Sequence, residues 1–399
     1  MDIGLITYYF SPESYATTAR IGPFIESWRD AGDKVHVFTH RRTREGDDPF
    51  ARMDHVDVHR TPTDSADNTR SLPVRFAFEL AFSLSVVVAA LRHQVDVWVG
   101  TSPPFLVAVT TMLLSKLTGT PYVLDVRDLF PEQLFAYDVV KRDSWFGRLL
   151  IWIEHVVYEN ALFVVGVTEG LVAYIEKRTT SDVVLIRNGV DQRCFSRQRM
   201  PAQAAPSSHN PFVLIFHGTL ARSQNVDLMV RYGRYLKQNA VHNVILRVIG
   251  DGPKADHLVQ AIDRYDLASF IDYVGAIDFE DIPDVLNDAD LGFSPRLDGL
   301  VNETAFPVKV YECLGCGRPV IVTPHSEAGR YVERHDVGMQ HTNDDLRGIH
   351  ASVCRLKEDL AAYRAYSDRA VALSDLFDRR ALGRQFREEL VRRLPSETA

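Results

Sequence analysis

The segment TAFPVKVYECLGCGRPVIVT (304–323) contains the structural unit from which the whole chain is built. Pro307 stands where a helix starts, a position that tolerates the missing N–H of proline, and the apolar run Pro319–Thr323 is typical of a buried strand. In both directions from this segment, short apolar strands alternate with longer helical patterns. Such alternation predicts an α/β protein with parallel sheets that are covered by helices on both faces.

The same patterns give approximate bounds for the other elements. The predicted strands are Asp2–Tyr9, Lys34–Thr39, Val95–Gly100, Pro121–Val126, Phe163–Val167, Val183–Ile186, Phe212–His217, Val244–Gly250, Ile271–Val274 and Leu291–Ser294. The predicted helices lie near Thr17–Ala31, Phe105–Leu117, Asp227–Gln238, Ala255–Tyr265 and Pro307–Leu314.

The alternation stops at residues 196–210, where SRQRMPAQAAPSSHN has the composition of a linker. We therefore predict two doubly wound Rossmann-like domains, 1–195 and 211–377, facing a central cleft. One stripe of a C-terminal helix, 378–399, carries Leu382, Phe386, Leu390 and Leu394, so one face of it is expected to be buried. We expect this helix to pack back on the N-terminal domain.

Composition narrows the possible classes of protein. The chain has 399 residues, of which 46% are hydrophobic and 25% charged, with a net charge of -8, so a disordered or collagen-like chain is excluded. Acidic side chains outnumber basic ones in both halves, which argues against a nucleic-acid binder, although the cluster Arg41, Arg42 and Arg44 suits a membrane surface. Cys313 and Cys316 form a lone CxxC without a second ligand pair, so we interpret them as core residues.

The sequence predicts a cytoplasmic protein. MDIGLITYYF at the start is a strand pattern without a basic region, so no secretory signal is expected. The apolar stretch Phe76–Leu91 contains Glu79 and is shorter than the ~20 residues that a membrane span needs. We expect at most peripheral contact with the inner membrane face, and packing of this stretch and of Phe105–Leu117 on the sheet is the simpler alternative.

Loops after the predicted C-terminal strands carry groups that suit a phosphorylated ligand. Lys309 lies in the first turn of the helix that Pro307 begins, where free N–H groups attract anions, and Glu312 follows on the same face. HGTLARSQNVD (217–227) contributes Gly218 and Arg222, and GDGP (250–253) follows the next strand. A solvated Lys–Glu pair, an exposed arginine and a plain turn are the alternatives at these three places.

In the N-terminal half, YVLDVRDLFPE places Asp125, Arg127, Asp128 and Glu132 at the end of a strand. Carboxylates around an arginine at a sheet edge suit a site that binds hydroxyl groups, although a local ion-pair network would have the same composition. IRNGVD (186–191) is a further turn at a strand end. The chain has no GxGxxG, GxxxxGK[ST], HExxH or GxSxG segment, which removes the motif-based case for dehydrogenases, P-loop NTPases, zincins and serine hydrolases.

Taken in order, these motifs resemble the retaining glycosyltransferases of family 4, which have the GT-B fold. The resemblance covers nearly the whole chain, and it is strong because the motifs occur in the expected order. They are FSPESYATTAR (10–20), VTEGL (167–171) with IRNGVDQRCF (186–195), HGTLARSQNVD, GDGP and AFPVKVYECLGCGRPVIVT (305–323). GTSPP (100–104) and RDLFPE (127–132) resemble the branch that builds microbial surface glycans, often from N-acetylated amino-sugar donors.

The resemblance implies metal-independent transfer, with retention of configuration, from a nucleoside-diphosphate sugar, expected to be UDP-linked, to a glycan or polyprenyl-linked glycan. The C-terminal half would bind the donor, with Glu312 on the ribose and Lys309 on the diphosphate, and the N-terminal half would present the acceptor. The implied catalytic residues are Arg127, Asp128, Arg222 and Lys309. The implied donor-binding residues are Gly218, Thr219, Gly250, Gly252, Glu303, Thr304, Phe306, Pro307, Val308 and Glu312. The implied acceptor-binding residues are Arg20, Ser102 and Glu132, and no metal or other cofactor is expected.

The sequence departs from the family pattern at several positions. Glu303 lies one residue away from the usual first glutamate, whose place is taken by Thr304. Thr219 and Gln224 replace a common Arg and Lys, and Arg127 replaces a common histidine.

Two other functions remain open at this stage. One is a nucleotide-sugar 2-epimerase, and the other is a sugar-nucleotide-binding subunit without catalytic activity.

Overall fold

The computed structural model describes residues 1–11, 16–41, 48–64, 72–136, 138–198 and 210–395, and it divides the chain into two compact units. The first unit comprises Met1–Asn188 and Arg379–Ala399, and the second comprises Gly189–Asp378. The division therefore falls before the segment 196–210 that the composition favoured as a linker, and residues 199–209 of that segment lie outside the described residues. The physical reason is that Val190 and Phe195 are buried in the core of the second unit.

The first unit is built on a seven-stranded parallel sheet with the order β3-β2-β1-β4-β5-β6-β7. Its strands are β1 (Asp2–Ile6), β2 (Lys34–Thr39), β3 (Val56–Arg60), β4 (Val97–Ser102), β5 (Tyr122–Val126), β6 (Phe163–Gly166) and β7 (Val183–Leu185). Its helices are α1 (Ala16–Asp30), α2 (Leu72–Ala90), α3 (Phe105–Thr118), α4 (Glu132–Ala136), α5 (Trp145–Glu159) and α6 (Glu169–Glu176), with a 3-10 turn at Pro49–Arg52. The chain order reverses between β1 and β4.

The C-terminal helix, Arg379–Arg393, completes the core of the first unit. Its Leu382, Phe386 and Leu390 are buried with α1 residues, and Phe386 meets the ring of Trp28 edge-on at 5.5 Å. Trp28 Nε1 donates a hydrogen bond to the carbonyl of Gly383 at 2.9 Å. A stripe at i, i+4 spacing therefore buries one face of this helix against α1.

Helix α2 is longer than the apolar stretch Phe76–Leu91 that the sequence analysis identified. Its segment Pro73–Ala90 is long and apolar enough, by length and composition, to cross a membrane, and only 17% of that segment is buried. The expectation of a length below that of a membrane span therefore holds for Phe76–Leu91 but not for the helix as a whole. The helix also buries Phe82, Val86 and Ala90, so packing against the rest of the unit remains the simpler interpretation of this stretch.

The second unit is built on a six-stranded parallel sheet with the order β10-β9-β8-β11-β12-β13. Its strands are β8 (Phe212–His217), β9 (Val244–Ile249), β10 (Ile271–Gly275), β11 (Leu291–Pro295), β12 (Val320–Thr323) and β13 (Gly338–Gln340). Its helices are α7 (Val226–Gln238), α8 (Ala255–Tyr265), α9 (Ile282–Asn287), α10 (Leu300–Glu303), α11 (Val308–Gly315), α12 (Glu327–Arg334), α13 (Leu346–Glu358) and α14 (Leu360–Ser374), with 3-10 turns at Phe279–Asp281 and Asp375–Phe377.

The chain order of this second sheet reverses between β8 and β11. Ligands of open parallel sheets bind beyond the carboxyl ends of the strands at such a reversal. Strand β8 ends at His217 and β11 ends at Pro295, so the loops that follow these two residues lie at that position. Two doubly wound Rossmann-like units are thus present, as the alternation predicted.

Candidate functional site

Glycines bring two loops of the second unit into backbone contact at the carboxyl ends of β8 and β9. Gly250 has a φ of +131°, and a Cβ there would lie 2.1 Å from the carbonyl oxygen of Gly218. Gly252 has a φ of +150°, and its Cβ would lie 2.9 Å from the oxygen of Leu220. The Leu220 N–H donates to Asp251 O at 2.9 Å. The GDGP segment, which alone predicts only a turn, therefore supports the Gly218 loop from one side.

Lys309, in the first turn of α11, extends toward this loop. Its Nζ lies 3.6 Å from the centroid of the Phe216 ring and 3.3 Å from Gln224 Oε1. A Cβ on Gly218 would be 3.7 Å from the same Nζ, so the ammonium group lies directly beside the backbone of this loop. Burial, and then the charge of Arg296, hold the pKa of Lys309 well below its usual value. No carboxylate among the described residues forms an ion pair with Lys309.

Arg296 is the second cation of the site, and the sequence analysis did not identify it. It follows the last residue of β11, and its Nε donates to Asn302 Oδ1 at 2.8 Å. An antiparallel bridge joins the backbone of Arg296 to that of Gln224, so these residues are held side by side. The sequence signal that could have identified Arg296 is its position directly after a parallel strand. We call Lys309, Arg296 and Gln224 the cationic corner.

Glu312 forms a buried pair with His217, the last residue of β8. His217 Nε2 and Glu312 Oε2 are 2.8 Å apart, and both side chains are buried. The sequence analysis placed both residues in motifs but did not pair them. The solvated Lys–Glu pair considered for Lys309 and Glu312 is therefore excluded by the burial of Glu312.

The other predicted donor-binding residues lie around the start of α11. Pro307 is the N-terminal cap residue, with no side-chain capping bond, and the N–H groups of Val308 and Lys309 have no acceptor within the helix. The Phe306 side chain is buried in the core, stacked on Tyr311 at 4.3 Å, so only its backbone can reach a ligand.

Four further candidates lie near this helix start or on the Gly218 loop. Thr304 Oγ1 donates back to Leu300 O at 2.9 Å, and Glu303 is exposed at the end of α10. Thr219 and Arg222 are exposed on the Gly218 loop. The buried cysteines Cys313 and Cys316 belong to the core, as the sequence predicted.

The structure corrects the position of Arg20, an expected acceptor contact in the first unit. Only 1% of Arg20 is exposed, and its Nη2 and Nε bind the buried carboxylate of Asp125 at 2.7 and 3.1 Å. Nη1 donates to the carbonyl of Arg187 at 2.5 Å, and Nη2 also donates to the carbonyl of Ile186 at 3.0 Å. These four hydrogen bonds are made inside the protein, where they fix the β5 end against the segment that follows β7.

Arg127 and Asp128 lie together at the carboxyl end of β5, near the reversal between β1 and β4. Arg127 Nε donates to the carbonyl of Ser102 at 3.1 Å, and its Nη2 donates to Thr17 Oγ1 at 2.8 Å. Burial is the main cause that lowers the pKa of Arg127, while Asp128 acts in the opposite direction. The Ser102 side chain itself is buried, so its contribution in this structure is the carbonyl that orients Arg127.

Glu132 also differs from the expectation of an exposed acceptor contact. It is buried, it forms ion pairs with Arg142 and, at 3.3 Å, with Arg178, and it accepts a hydrogen bond from the Tyr174 hydroxyl at 3.0 Å. Glu154 lies in the same network, with its Oε2 3.3 Å from Arg178 Nε, and burial raises its pKa to about 8. The network ties α4, α5 and α6 together, so the ion-pair alternative holds at Glu132.

Comparison with protein families gives two matches in tandem. A domain described as "Glycosyl transferase 4-like domain" matches residues 17–189, and one described as "Glycosyl transferases group 1" matches residues 211–359. The chain is 24% identical over 289 residues to the probable glycosyltransferase WbjE of Pseudomonas aeruginosa, covering 69% of this chain and 70% of that protein. It is 26% identical over 168 residues to the putative colanic acid biosynthesis glycosyltransferase WcaL of Escherichia coli K12, covering 42% and 40% of the two chains.

Solved structures with low sequence identity share the fold over its full length. Sucrose-phosphate synthase from Thermosynechococcus elongatus matches with a TM-score of 0.77 at 17% identity, covering 98% of both chains. HepE of Anabaena in complex with UDP-glucose matches with a TM-score of 0.71 at 16% identity, covering 98% of this chain and 99% of that one. The tandem domains, the two Rossmann-like sheets and these relatives together identify the chain as a glycosyltransferase with the GT-B fold.

Proposed function

We propose that this glycosyltransferase transfers a sugar from a UDP-sugar to a hydroxyl group of a glycan or lipid-linked glycan, with retention of anomeric configuration and without a bound metal ion. The cationic corner carries the proposal: two cations are held next to a helix start and a glycine loop, at the position where this fold binds ligands. The relatives support the donor class, since HepE is described in complex with UDP-glucose and WcaL is named for colanic acid biosynthesis. An N-acetylated amino sugar is the donor that the motif resemblance favours.

In this proposal the diphosphate binds between Lys309, Arg296 and the first N–H groups of α11. Free N–H groups at a helix start and the helix dipole both favour an anion there. Glu312, oriented by His217 at 2.8 Å, would accept a hydrogen bond from the ribose. Thr304 and the exposed Glu303 lie on the segment just before the helix, near the place assigned to the sugar. Arg222 would reach the diphosphate from the loop on the opposite side.

The chemistry requires that negative charge on the leaving diphosphate be stabilised. The bond between the sugar C1 and the diphosphate oxygen breaks, and a bond between C1 and the acceptor oxygen forms on the same face. The acceptor proton passes to the departing phosphate oxygen. Positive charge fixed before the reaction stabilises such a transition state, and one donor of this kind contributes a factor of about 10²–10³ in rate. Lys309 and Arg296 would supply the charge that a divalent cation supplies in other enzymes.

Thermal stabilisation by nucleotides tests the donor site directly. The full chain would be heated with UDP, GDP, ADP or CDP, with and without EDTA. A ligand at about 100 times its dissociation constant adds roughly 2.7 kcal/mol of stability, which is readily measured. We expect a shift with UDP that survives EDTA. A shift that EDTA abolishes contradicts the metal-independent donor site, and the absence of a shift with every nucleotide contradicts the donor site as a whole.

The anomeric outcome needs a separate experiment. Once a UDP-sugar is found that is turned over, proton NMR of the first product identifies its anomer before mutarotation. Retention supports the proposal, whereas inversion overturns the same-face mechanism and leaves the donor site intact. A sugar nucleotide with an altered C2 configuration would instead support the epimerase alternative, and binding without turnover would support the non-catalytic one.

The first unit would present the acceptor, and an exposed apolar surface there suits a lipid-linked one. Helix α2 exposes Leu84 and Val88, each at 61%, and α5 exposes Trp145 at 78% and Trp152 at 60%. Tryptophan is enriched where proteins meet the membrane interface, because one part of its ring system is apolar and one is polar. We place a bilayer surface against these helices, which extends the sequence hypothesis from α2 to α5.

Liposome flotation at low salt tests this membrane contact. The wild-type chain should float with vesicles, and the double substitution Trp145→Ser and Trp152→Ser should reduce the bound fraction. Leu300→Ser, which removes an exposed apolar side chain in the second unit, is the control and should float like wild type. Failure of the wild type to float would contradict the contact.

A further inference from the structure

Three histidines of the first unit bring their ring nitrogens together, outside the cationic corner. They are His36 on β2, His59 on β3 and His93, which lies three residues after the last residue of α2. One ring nitrogen from each lies within 4.8 Å of the others, and His36 Nδ1 is 3.2 Å from His59 Nε2. Neither the function proposed above nor the family motifs use this His36–His59–His93 cluster.

The fold explains why residues so far apart in sequence converge. In the parallel pairing of β2 and β3, His36 is opposite Asp57 and Phe38 is opposite His59, so His36, Phe38 and His59 share one face of the sheet. The other face of β2 carries Val35 and Val37, which are buried in the main core. Helix α2 ends beside the His36 face and brings His93 to within 4.3 Å of His59, measured between ring centroids.

The surroundings of the cluster are those of a partly enclosed metal site. The Phe38 ring stacks on His59 at 4.8 Å and also contacts the Trp98 ring at 5.8 Å, which limits access of water from that side. Asp57 Oδ2 lies 3.5 Å from His36 Nδ1 and 3.1 Å from Lys34 Nζ. His36 is buried and His59 and His93 are half-buried, so the cluster is largely shielded from bulk water.

The distances fit a tetrahedral ion. Zinc–nitrogen bonds of about 2.0–2.1 Å place two ligand nitrogens on a tetrahedral ion roughly 3.4 Å apart. The distance of 3.2 Å between His36 Nδ1 and His59 Nε2 is close to this separation, and the ring nitrogen of His93 lies within 4.8 Å of both. Three imidazole ligands suit Zn²⁺ and its neighbours among the transition metals rather than Mg²⁺ or Ca²⁺.

We propose that His36, His59 and His93 bind a Zn²⁺ ion that clamps the edge strand β3 to β2 and to the end of α2. A water molecule or Asp57 completes the coordination. We assign the ion a structural role, because it would join β3, the outermost strand of the seven-stranded sheet, to the rest of the unit. It would also fix the end of α2, the helix that carries the exposed apolar surface. A site of this kind crosslinks three segments that are separated by 23 and 34 positions in the sequence. It takes no part in the transfer reaction, so it is compatible with a metal-independent donor site.

Metal binding by the full chain without an affinity tag tests this proposal. The protein is stripped with a chelator and then titrated with Zn²⁺ against a chromophoric chelator, and Co²⁺ is used as a probe because tetrahedral Co²⁺ absorbs visible light. We expect one tight Zn²⁺ per chain. His59→Asn and His93→Asn should each weaken Zn²⁺ binding by at least about 10-fold, since even residues that only support a ligand have effects of that size.

His55→Asn is the matched control. His55 is exposed, lies just before β3, and has a left-handed backbone (φ 64°) that asparagine tolerates. This variant should bind Zn²⁺ as wild type does. If His59→Asn fails to fold, His93→Asn, at a half-buried position after the helix, decides the result.

Two results would overturn the proposal: a stripped wild-type chain that binds no Zn²⁺, or variants that bind it as tightly as wild type. In either case the cluster is a group of hydrogen-bonded and stacked imidazole rings that holds no metal ion. Failure of the zinc proposal can be told apart from failure of the proposed donor site. UDP binding by the His93→Asn variant is measured in the presence of EDTA, where bound zinc does not contribute to the result.

Discussion

Replacing Lys309 by methionine should separate the catalytic contribution of its charge from any contribution to folding. The Lys309 ammonium lies 3.6 Å from the Phe216 ring centroid and 3.3 Å from Gln224 Oε1, close to the charge of Arg296. Burial lowers its pKa, so the folded protein holds this proton less tightly than the unfolded chain does. The charge is therefore unfavourable in the ligand-free protein and becomes favourable when an anion binds beside it.

The expected effects on stability nearly cancel. Methionine loses a cation–π contact of about 2 kcal/mol and a long hydrogen bond of about 1 kcal/mol. It also removes an ammonium group whose transfer from water costs several kcal/mol, and it keeps most of the apolar stem contacts. We therefore expect the ligand-free variant to be as stable as wild type or slightly more stable. Because the folded pKa is depressed, the stability of wild type relative to the variant should rise as the pH increases toward the pKa of a free lysine.

The effect on transfer should be far larger. Loss of one preorganised positive group next to the leaving diphosphate is expected to lower kcat by about 10²–10³, or roughly 2.7–4 kcal/mol. The assays are denaturant unfolding without ligand, calorimetric titration with UDP, and UDP release during turnover. Lys237→Met, which removes a lysine paired with Asp266 at 2.8 Å on the surface of the same unit, is the control.

Three outcomes would refute the reasoning about Lys309. Unchanged turnover would remove Lys309 from the site. Equal losses in UDP affinity and in turnover would reduce it to a binding contact. A ligand-free variant that is several kcal/mol less stable would make the ammonium group a structural element.

Three further changes have sharp expectations. Gly250→Ala should abolish UDP binding and destabilise the second unit by at least about 2 kcal/mol, because its Cβ would lie 2.1 Å from Gly218 O. Gly299→Ala, with a similar φ of +128° and no atom within 4 Å of the new Cβ, controls for backbone strain, and equal effects would contradict the loop-contact argument. Glu154→Gln should abolish a pH dependence of unfolding. The folded pKa of about 8 lies above the unfolded value of 4.5, so wild type loses stability as the pH rises between them, by up to about 1.4 kcal/mol per pH unit. The unfolding free energies of wild type and variant are measured by denaturation at pH 5 and pH 8. An equal change between these two pH values in both proteins would show that Glu154 does not titrate there. Glu312→Gln should weaken UDP binding by about 10-fold. Deoxyuridine diphosphate analogues that lack the ribose hydroxyls should bind to both proteins equally. An unchanged UDP affinity would show that Glu312 does not contact the ribose.

Most of the fold could be predicted from the sequence, because strand and helix periods leave a local signature. Lys34–Thr39, Phe212–His217 and Ala255–Tyr265 have the bounds that the apolar pattern predicted. Two edge strands, Val56–Arg60 and Gly338–Gln340, were not predicted. Val56–Arg60 carries Asp57, His59 and Arg60, and Gly338–Gln340 is only three residues long, so neither has the apolar run that marks a buried strand.

The candidate site was only partly predictable. Loops that follow strands indicated Lys309, Glu312, Gly218 and Gly250, because residues at strand ends meet at one edge of a parallel sheet. The sequence could not show that Arg20 and Glu132 are buried in ion pairs, since a charged residue has the same letters in the core and on the surface. Nor could it pair Gln224 with Arg296, which are joined by a bridge between two separate loops.

The sequence by itself determined the α/β class, the glycine turns and the helix start at Pro307, because each depends on residues close together in the chain. Only the tertiary structure decided which charges became buried, which cation lies beside Lys309, and that three histidines from two strands and a helix end share one small volume. The physical reason is that burial and charge–charge contact depend on distances between segments, which strand order and register fix and local sequence does not.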